Sequence, residues 1–162
     1  MAEVVDRYCT SIERARILRG LLDYRALLNA HGFISGYQWL AGSFVENCEA
    51  NRLRPPDDID VVTFFRRPAT WSSQVFDRNF AISIFNQFFH PDNNKGKYHC
   101  DTYPIDLDAP QESIPFQSNY WTELFQGCRD STERKGILAV QLFESQAETA
   151  SASQTIVNRY AV

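Results

Sequence analysis

The sequence has no apolar run long enough to cross a membrane. None of its stretches approaches the roughly 18 apolar residues that a membrane-spanning helix needs. Its first residues also lack the basic and then apolar pattern of a signal peptide. These two absences predict a protein that does not span a membrane and that resides in the cytoplasm.

Cysteines are few, and none of them forms a C-x-x-C pair. Cys9, Cys48, Cys100 and Cys128 are widely spaced, which disfavours a zinc ribbon or a dithiol redox motif. Disulfides are rare in a reducing compartment. We therefore expect buried free thiols.

The sequence also lacks the excess of positive charge that is typical of proteins that grip long duplex nucleic acid. Its formal net charge is −4, so no such partner is expected. Local basic groups occur at Arg66 and Arg67, at Lys95 and Lys97, and at Arg134 and Lys135. These groups suit the phosphates of a nucleotide better than a long polymer.

No internal repeat and no linker divides the chain, which is long enough for one domain with a sizeable core. We predict a single domain over residues 1–143. The tail, residues 144–162, is rich in Ser, Ala, Thr and Gln. It is expected to have little to bury and to be flexible or to contact a partner.

The hydrophobic pattern predicts helices that alternate with strands. The predicted helices cover residues 11–30, 43–50, 71–89 and 120–125, and Ser11 is the expected N-cap of the first. The predicted strands cover 34–41, 58–65, 97–103 and 136–143. A turn is expected at 90–96 and a loop at 108–118. One face of the third helix is expected to pack in the core through Trp71, Val75, Phe76, Phe80, Ile84, Phe85 and Phe88. This order predicts a small α+β or α/β sheet layered with helices.

The most informative motif is a Gly42-Ser43 turn that precedes the segment Asp58-Ile59-Asp60. Side chains alternate along a strand, so Asp58 and Asp60 should project to one face. Two adjacent carboxylates repel each other unless a cation neutralises them. Mg²⁺ is usually held by one or two carboxylates together with substrate phosphates. A turn of small residues before a helix presents N–H groups and a hydroxyl to an anion. We therefore hypothesise a metal-bound polyphosphate between the turn and the carboxylates, the alternative being a surface turn and a strand whose aspartates face water.

This motif resembles the signature of the DNA polymerase β-type nucleotidyltransferase superfamily. The matching residues are Gly42, Ser43, Asp58, Ile59, Asp60 and Val61. Fourteen residues separate Ser43 from Asp58, slightly more than is usual for the family. The resemblance implies a mixed sheet of about four to five strands flanked by helices.

The resemblance also implies a third carboxylate on a nearby strand, for which Asp101 and Asp106 compete. Asp106 lies in an apolar-acid-apolar triplet. Asp101 lies in a more strongly β-prone run. Pro104 predicts an edge strand or a loop after it, and a site carboxylate needs a rigid element. These arguments favour Asp101 over Asp106, with Asp101 as a plain surface residue as the further alternative.

A narrower resemblance, to a small uncharacterised family of bacterial stand-alone nucleotidyltransferase-like proteins, points to the same residue. It covers most of the chain from about residue 15 to residue 142. It is carried by WLAGSFV from Trp39, DDIDVV from Asp57, KYHCDTY from Lys97, YWTELF from Tyr120 and RKGI from Arg134. In that family a Cys-Asp-x-Tyr element stands where Asp101 stands here.

Together the resemblances imply a nucleotidyltransferase that moves a nucleoside monophosphate from a triphosphate such as ATP. Asp58 and Asp60 would hold Mg²⁺ or Mn²⁺, and Asp101 would bind a second ion or act as the base. Gly42 and Ser43 would hold the phosphates. The implied acceptor is a hydroxyl of a protein, a tRNA or a small molecule, as in minimal nucleotidyltransferases that act as antitoxins.

Two other classes of function stay open at this stage. The first is a non-catalytic module that binds a nucleotide or a protein, which the intact set of Asp58, Asp60 and Asp101 disfavours. The second is a metal-dependent nuclease or phosphatase, which does not explain the Gly42-Ser43 turn. A transition-metal site on His99, Cys100 and Asp101 is disfavoured because strand neighbours cannot converge on one ion. A hydrolase with a Ser43 nucleophile lacks the expected G-x-S-x-G elbow.

Overall fold

The computed structural model describes residues 1–72, 75–128 and 132–162. Within them, the strands are β1 (Gly36–Ala41), β2 (Ile59–Phe65), β3 (Cys100–Asp106) and β4 (Leu138–Gln141). These four strands form one sheet in the order β3-β2-β1-β4. β1 is antiparallel to β2 and to β4, and β2 is parallel to β3. The predicted α+β class with a mixed sheet is therefore confirmed.

Helices flank both faces of this sheet. They are α1 (Ala2–Tyr8), α2 (Ile12–Ala30), α3 (Cys48–Arg52), α4 (Arg78–Ile84), α5 (Pro91–Tyr98), α6 (Ser113–Gln126) and α7 (Gln146–Tyr160). Short 3₁₀ turns span Gly42–Val45 and Ala69–Trp71, and a π-helical turn spans Phe85–Phe89. In the described part of the chain, no helix is long and apolar enough to cross a lipid bilayer.

The larger core lies between one face of the sheet and α2. The predicted N-cap of this helix is confirmed, because the Ser11 side chain accepts a hydrogen bond from the Arg14 N–H. Leu18, Leu21 and Leu28 of α2 are fully buried there. Helix α2 also contacts α5, α7 and β3. Cys9, Cys48 and Cys100 are buried, as predicted, while Cys128 is half-buried.

A smaller core lies on the opposite face of the sheet, under α6. It consists of Ala41, Val62, Phe64, Ile105 and Phe125, with Tyr37, Trp39, Tyr103, Leu107, Trp121 and Ile137 packed around it. Side chains alternate between the two faces along each strand. Asp60 and Asp101 therefore project on the same side as this smaller core, at one end of β2 and β3.

The segment before the third strand differs from the prediction. Residues 90–96, expected to be a turn, begin helix α5, because Pro91 at its first position needs no N–H partner there. The last helical residue is Tyr98, and His99, which follows it, has a left-handed backbone with a φ of 54°. β3 then continues through Pro104 to Asp106. An edge strand tolerates proline where its missing N–H would face away from the neighbouring strand.

Three further helix predictions were wrong in their limits. The helix expected at 71–89 begins only at Arg78, because the Asp77 side chain caps it by accepting from the Phe80 N–H. Ser73 and Gln74 lie outside the described residues, and Val75 is 81% exposed rather than in the core. The expected loop at 108–118 is shorter, because α6 starts at Ser113. The helix expected at 43–50 divides into the 3₁₀ turn Gly42–Val45 and α3.

The C-terminal segment forms a helix instead of a tail with little to bury. Ser145 and Glu148 form a capping box at the start of α7. Ala152 and Ile156 are buried against the larger core. The same helix contacts α1 and α2. The small residues of this segment therefore allow a close helix packing that its composition did not suggest.

Candidate functional site

Asp60 and Asp101 lie directly opposite each other on neighbouring parallel strands. The register of β2 and β3 pairs Asp60 with Asp101. Adjacent strands are about 4.8 Å apart, and paired residues project to the same face. The fold thus brings together two carboxylates that are forty-one positions apart in the sequence.

The Gly42-Ser43 turn lies against the carboxylate of Asp60. Gly42 follows β1, whose last residue, Ala41, pairs with Asp60. Gly42 has a φ of 79°, and a Cβ added to it would lie 2.4 Å from the Oδ2 atom of Asp60. Glycine is therefore required here for two reasons, the left-handed backbone and the close approach of the carboxylate. Ser43 is half-buried in the same turn.

Asp58 lies just outside the strand on which it was predicted. β2 begins at Ile59, so Asp58 is the last residue of the preceding loop. Its carboxylate forms an ion pair with Lys95 of α5, at an Oδ2–Nζ distance of 2.5 Å. The Asp58 side chain is 17% exposed and that of Lys95 is 52% exposed. The structure thus supplies a cation to Asp58 from a helix that the sequence analysis had assigned to a turn.

The charge of Asp60 is disfavoured by its surroundings. Burial, and then the neighbouring carboxylates of Asp58 and Asp101, raise the pKa of Asp60 to about 6, while Lys135 and Lys95 act in the opposite direction. A raised pKa in a carboxylate beside other carboxylates is typical of a functional site. The physical reasons are that the folded chain removes the Asp60 carboxylate from water and places two other carboxylates near it.

Asp101 has a buried oxygen without a hydrogen-bond donor. Its Oδ1 atom has no partner among the described residues. Burial and the Asp101 carboxylate together raise the pKa of the Tyr103 hydroxyl two positions along the strand. The Tyr103 ring lies against Trp121 of α6, at a centroid distance of 4.2 Å. An unpaired buried carboxylate oxygen is costly in free energy, and a bound cation or donor would remove that cost.

Asp106, the alternative third carboxylate, is on the other face of the sheet. It is five residues from Asp101 on β3, so the two side chains project in opposite directions. Its Oδ2 atom accepts from Arg67 Nε at 2.9 Å, and its Oδ1 atom accepts from the backbone N–H of Asp108. Asp106 is therefore engaged with Arg67 and does not meet Asp60.

Arg14 holds the turn from behind, a role that the sequence analysis missed. It is 3% exposed and donates to the carbonyls of Phe44 and Glu46, both at 2.6 Å. It also forms an ion pair with Glu49 at 2.6 Å and lowers the pKa of that carboxyl to about 2. The signal for this role is the position of Arg14 in helix α2, one turn before the buried Leu18.

Lys135 approaches the site from the segment before β4. Its Nζ atom lies 2.6 Å from Glu46 Oε1, and Arg52 lies 3.0 Å from the other oxygen of Glu46. Both Lys135 and Glu46 are largely buried. Glu46 thus links the end of the glycine turn to Lys135, whose positive charge opposes the rise in the pKa of Asp60.

Within residues 1–72, 75–128 and 132–162, no group of three or more His, Cys, Asp or Glu side chains forms a ready-made metal site. Asp58 is turned to Lys95. Asp60 and Asp101 remain as a facing pair beside the glycine turn. His99, predicted to lie on a strand, is instead the exposed C-cap residue that follows α5.

Comparison with known proteins gave a family but no named relative. No curated protein and no solved structure matches the chain. A family model described as "Family of unknown function (DUF6932)" matches residues 1–141. That span contains all four strands of the described sheet and every residue of the candidate site. The chain therefore belongs to the DUF6932 family of unknown function.

Proposed function

We propose that the protein is a metal-dependent nucleotidyltransferase that moves a nucleoside monophosphate from a nucleoside triphosphate, such as ATP, to a hydroxyl group. The observation that carries this proposal is the facing pair of Asp60 and Asp101 beside the Gly42-Ser43 turn. The two aspartates lie on two neighbouring strands, and the turn directly follows a third strand. Such a site, built on strands, holds its groups rigidly.

The residues present fit a divalent cation. Asp101 Oδ1 is buried and has no donor within the described residues. Burial, and then the charges of Asp58 and Asp101, raise the pKa of Asp60, and a cation would neutralise the negative charge of this cluster. Mg²⁺ usually takes only one or two carboxylates and completes its shell with water and phosphate oxygens. The absence of a three-ligand protein cage among the described residues is therefore compatible with Mg²⁺ or Mn²⁺ that binds together with the nucleotide.

The chain's own groups supply the other requirements of the reaction. Asp101 accepts the proton of the attacking hydroxyl group. The oxygen of that hydroxyl group forms a bond to the α-phosphorus at the same time. The bond from the α-phosphorus to the bridging oxygen breaks, and pyrophosphate leaves. Gly42 admits the phosphates to the turn because it has no side chain, and Ser43 donates its hydroxyl to them. When bound, the metal would neutralise the phosphates and stabilise the entering and leaving oxygens.

One observation favours a second candidate, a nucleotide-binding module without catalysis. The ion pair of Asp58 with Lys95 neutralises one of the three predicted metal ligands. A protein that only binds a nucleotide has no need for a free Asp58. In that case the nucleotide binds, but no bond to the α-phosphorus is broken.

The test is transfer of label from the nucleotide. The purified full-length protein is incubated with Mg²⁺ and each nucleoside triphosphate labelled at the α-phosphate, with and without cell extract that contains protein, tRNA and small-molecule acceptors. We expect label in an acceptor and release of unlabelled pyrophosphate. Asp101→Asn should reduce transfer by roughly 10²–10⁴-fold, the loss typical of a general base.

Two variants provide the controls. Asp57→Asn removes a carboxylate next to Asp58 that is 80% exposed and pairs with Arg54, so transfer should be unchanged. Asp106→Asn, on the other face of the sheet, should have a mild effect. Full activity in Asp101→Asn with loss in Asp106→Asn would refute the assignment. Nucleotide binding without transfer to any acceptor would support the binding module.

A further inference from the structure

Lys95 is the cation that faces Asp58, and the two differ in how firmly they are held. Asp58 is largely buried just before β2, whereas about half of the Lys95 side chain is exposed. Lys95 lies on α5, a helix of eight residues that packs on β3 and α2. The ammonium group is thus placed at the edge of the carboxylate cluster on a long and solvated stem.

The second lysine near Asp60 is held differently. Lys135 is 13% exposed and is paired with Glu46, which Arg52 also contacts. Its charge is therefore committed to a buried network. Among the described residues, Lys95 forms an ion pair with Asp58 and with no other carboxylate. Of these two lysines, Lys95 is the one whose partner can be exchanged.

We propose that Lys95 is an exchangeable counter-ion, which neutralises Asp58 before nucleotide binds and turns to the triphosphate when a divalent cation takes its place. The inference rests on the proposed function and adds to it a regulation of the same site. Two cations cannot share one carboxylate oxygen at 2.5 Å without strong repulsion. Lys95 and the divalent cation therefore compete for Asp58.

This exchange has a consequence for the order of binding. Without nucleotide, Lys95 keeps the affinity for a free divalent cation low. A metal-bound nucleotide brings phosphate oxygens, which offer the displaced ammonium group new partners. The free energy lost at Asp58 is then offset at the triphosphate, so metal and nucleotide bind better together than either binds alone.

The test measures metal binding in the absence of nucleotide and so does not depend on catalysis. Mn²⁺ is titrated into the chelator-treated full-length protein, and free Mn²⁺ is followed by electron paramagnetic resonance. Lys95→Gln should bind Mn²⁺ roughly 1.5- to fivefold more tightly than the wild type, the range expected for one exposed ion pair. The same variant should bind Mg²⁺-ATP several-fold more weakly in calorimetry.

Three further comparisons between variants test whether the effect is specific to the Lys95–Asp58 pair. Lys97→Gln carries the same change two residues away on α5, where Lys97 lies over the Tyr98 ring, and should match the wild type. Lys95→Arg keeps the charge and should also match it. In an Asp58→Asn background, Lys95→Gln should no longer alter Mn²⁺ affinity, because the contested carboxylate is gone.

The inference is overturned if Lys95→Gln leaves Mn²⁺ affinity unchanged or weakens it, or if the effect persists in the Asp58→Asn background. Failure of the proposed function has a different signature. Tighter Mn²⁺ binding by Lys95→Gln with no label transfer would support the exchange and refute the transferase. Label transfer by the wild type with no change in Mn²⁺ affinity would refute the exchange alone.

Discussion

At the level of single residues, the candidate site combines groups that would be unfavourable in a purely structural role. Asp60 is crowded by two other carboxylates, Asp101 has a buried oxygen without a donor in the described residues, and Gly42 has a left-handed backbone. Each of these features costs stability. Proteins commonly retain such costs at sites where function requires them.

Replacement of Asp60 should therefore stabilise the metal-free protein. The pKa of Asp60 is raised to about 6 in the folded chain, so the folded state binds its proton more tightly than the unfolded state does. The contribution of Asp60 to stability therefore falls as pH rises from about 4 to about 6 and is not recovered above that range. Asp60→Asn lacks this loss and should be more stable by about 1–3 kcal/mol above pH 6, with little difference below pH 4.

The measurement is urea unfolding in chelator at a series of pH values. Asp57→Asn, whose carboxylate is exposed, should follow the wild type throughout. If Asp60→Asn is less stable than the wild type at pH 8, the carboxylate has a structural role and the interpretation of the cluster is wrong.

At the level of elements, the site is held in place by segments that are distant in the sequence. Arg14 of α2 binds the carbonyls of the 3₁₀ turn. Lys95 of α5 reaches Asp58, and Lys135 reaches Glu46 from before β4. The position of α2 is fixed in turn by packing with α7. Elements with no site residue therefore contribute to the geometry of the site.

Helix α7 offers a direct test of this packing. Ile156 is fully buried in the larger core, while its neighbour Val157 is 41% exposed. Ile156→Ala should lower the free energy of unfolding by about 2–5 kcal/mol, as is typical of large-to-small changes in a core. Val157→Ala should change it by less than about 0.5 kcal/mol. Equal and small effects of both substitutions in denaturant unfolding would show that α7 does not pack in solution.

At the level of the whole molecule, the described residues form one sheet with its flanking helices. In the proposed transfer, the acceptor would be positioned by the surface next to the site, by a partner or by a second copy. The face that carries Asp60 and Asp101 also carries α6, whose Phe116, Tyr120 and Leu124 are exposed. Nucleotide binding itself needs none of these and can be measured on the protein alone.

Nucleoside triphosphate should stabilise the protein only when a divalent cation is present, because the carboxylates and the phosphates repel each other without one. A ligand at one hundred times its dissociation constant adds about 2.7 kcal/mol. For a chain of this length, that corresponds to a rise in Tm of roughly 5–10 °C. Thermal unfolding is compared with ATP and Mg²⁺, with ATP and chelator, and with Mg²⁺ alone. The same Tm in all three conditions would argue against a nucleotide site.

Local pattern was sufficient to predict several features of this protein. The period of apolar residues predicted α2 with its Ser11 cap, and the β-prone runs predicted β1 and β2 to within two residues. The predicted class of fold is also confirmed, whereas the preference for Asp101 over Asp106 as a site residue stays a prediction. These successes depend on interactions between residues that are near in sequence, which local pattern records.

Tertiary packing decided the rest. Proline at position 104 is accepted because β3 is an edge strand, and the small residues of α7 are buried because they fit against α1 and α2. Asp60 meets Asp101 only through the register of β2 and β3, and Lys95, Lys135 and Arg14 reach the site from three other elements. Charge pairing and burial depend on distances in space, and the spacing of residues along the chain does not determine those distances.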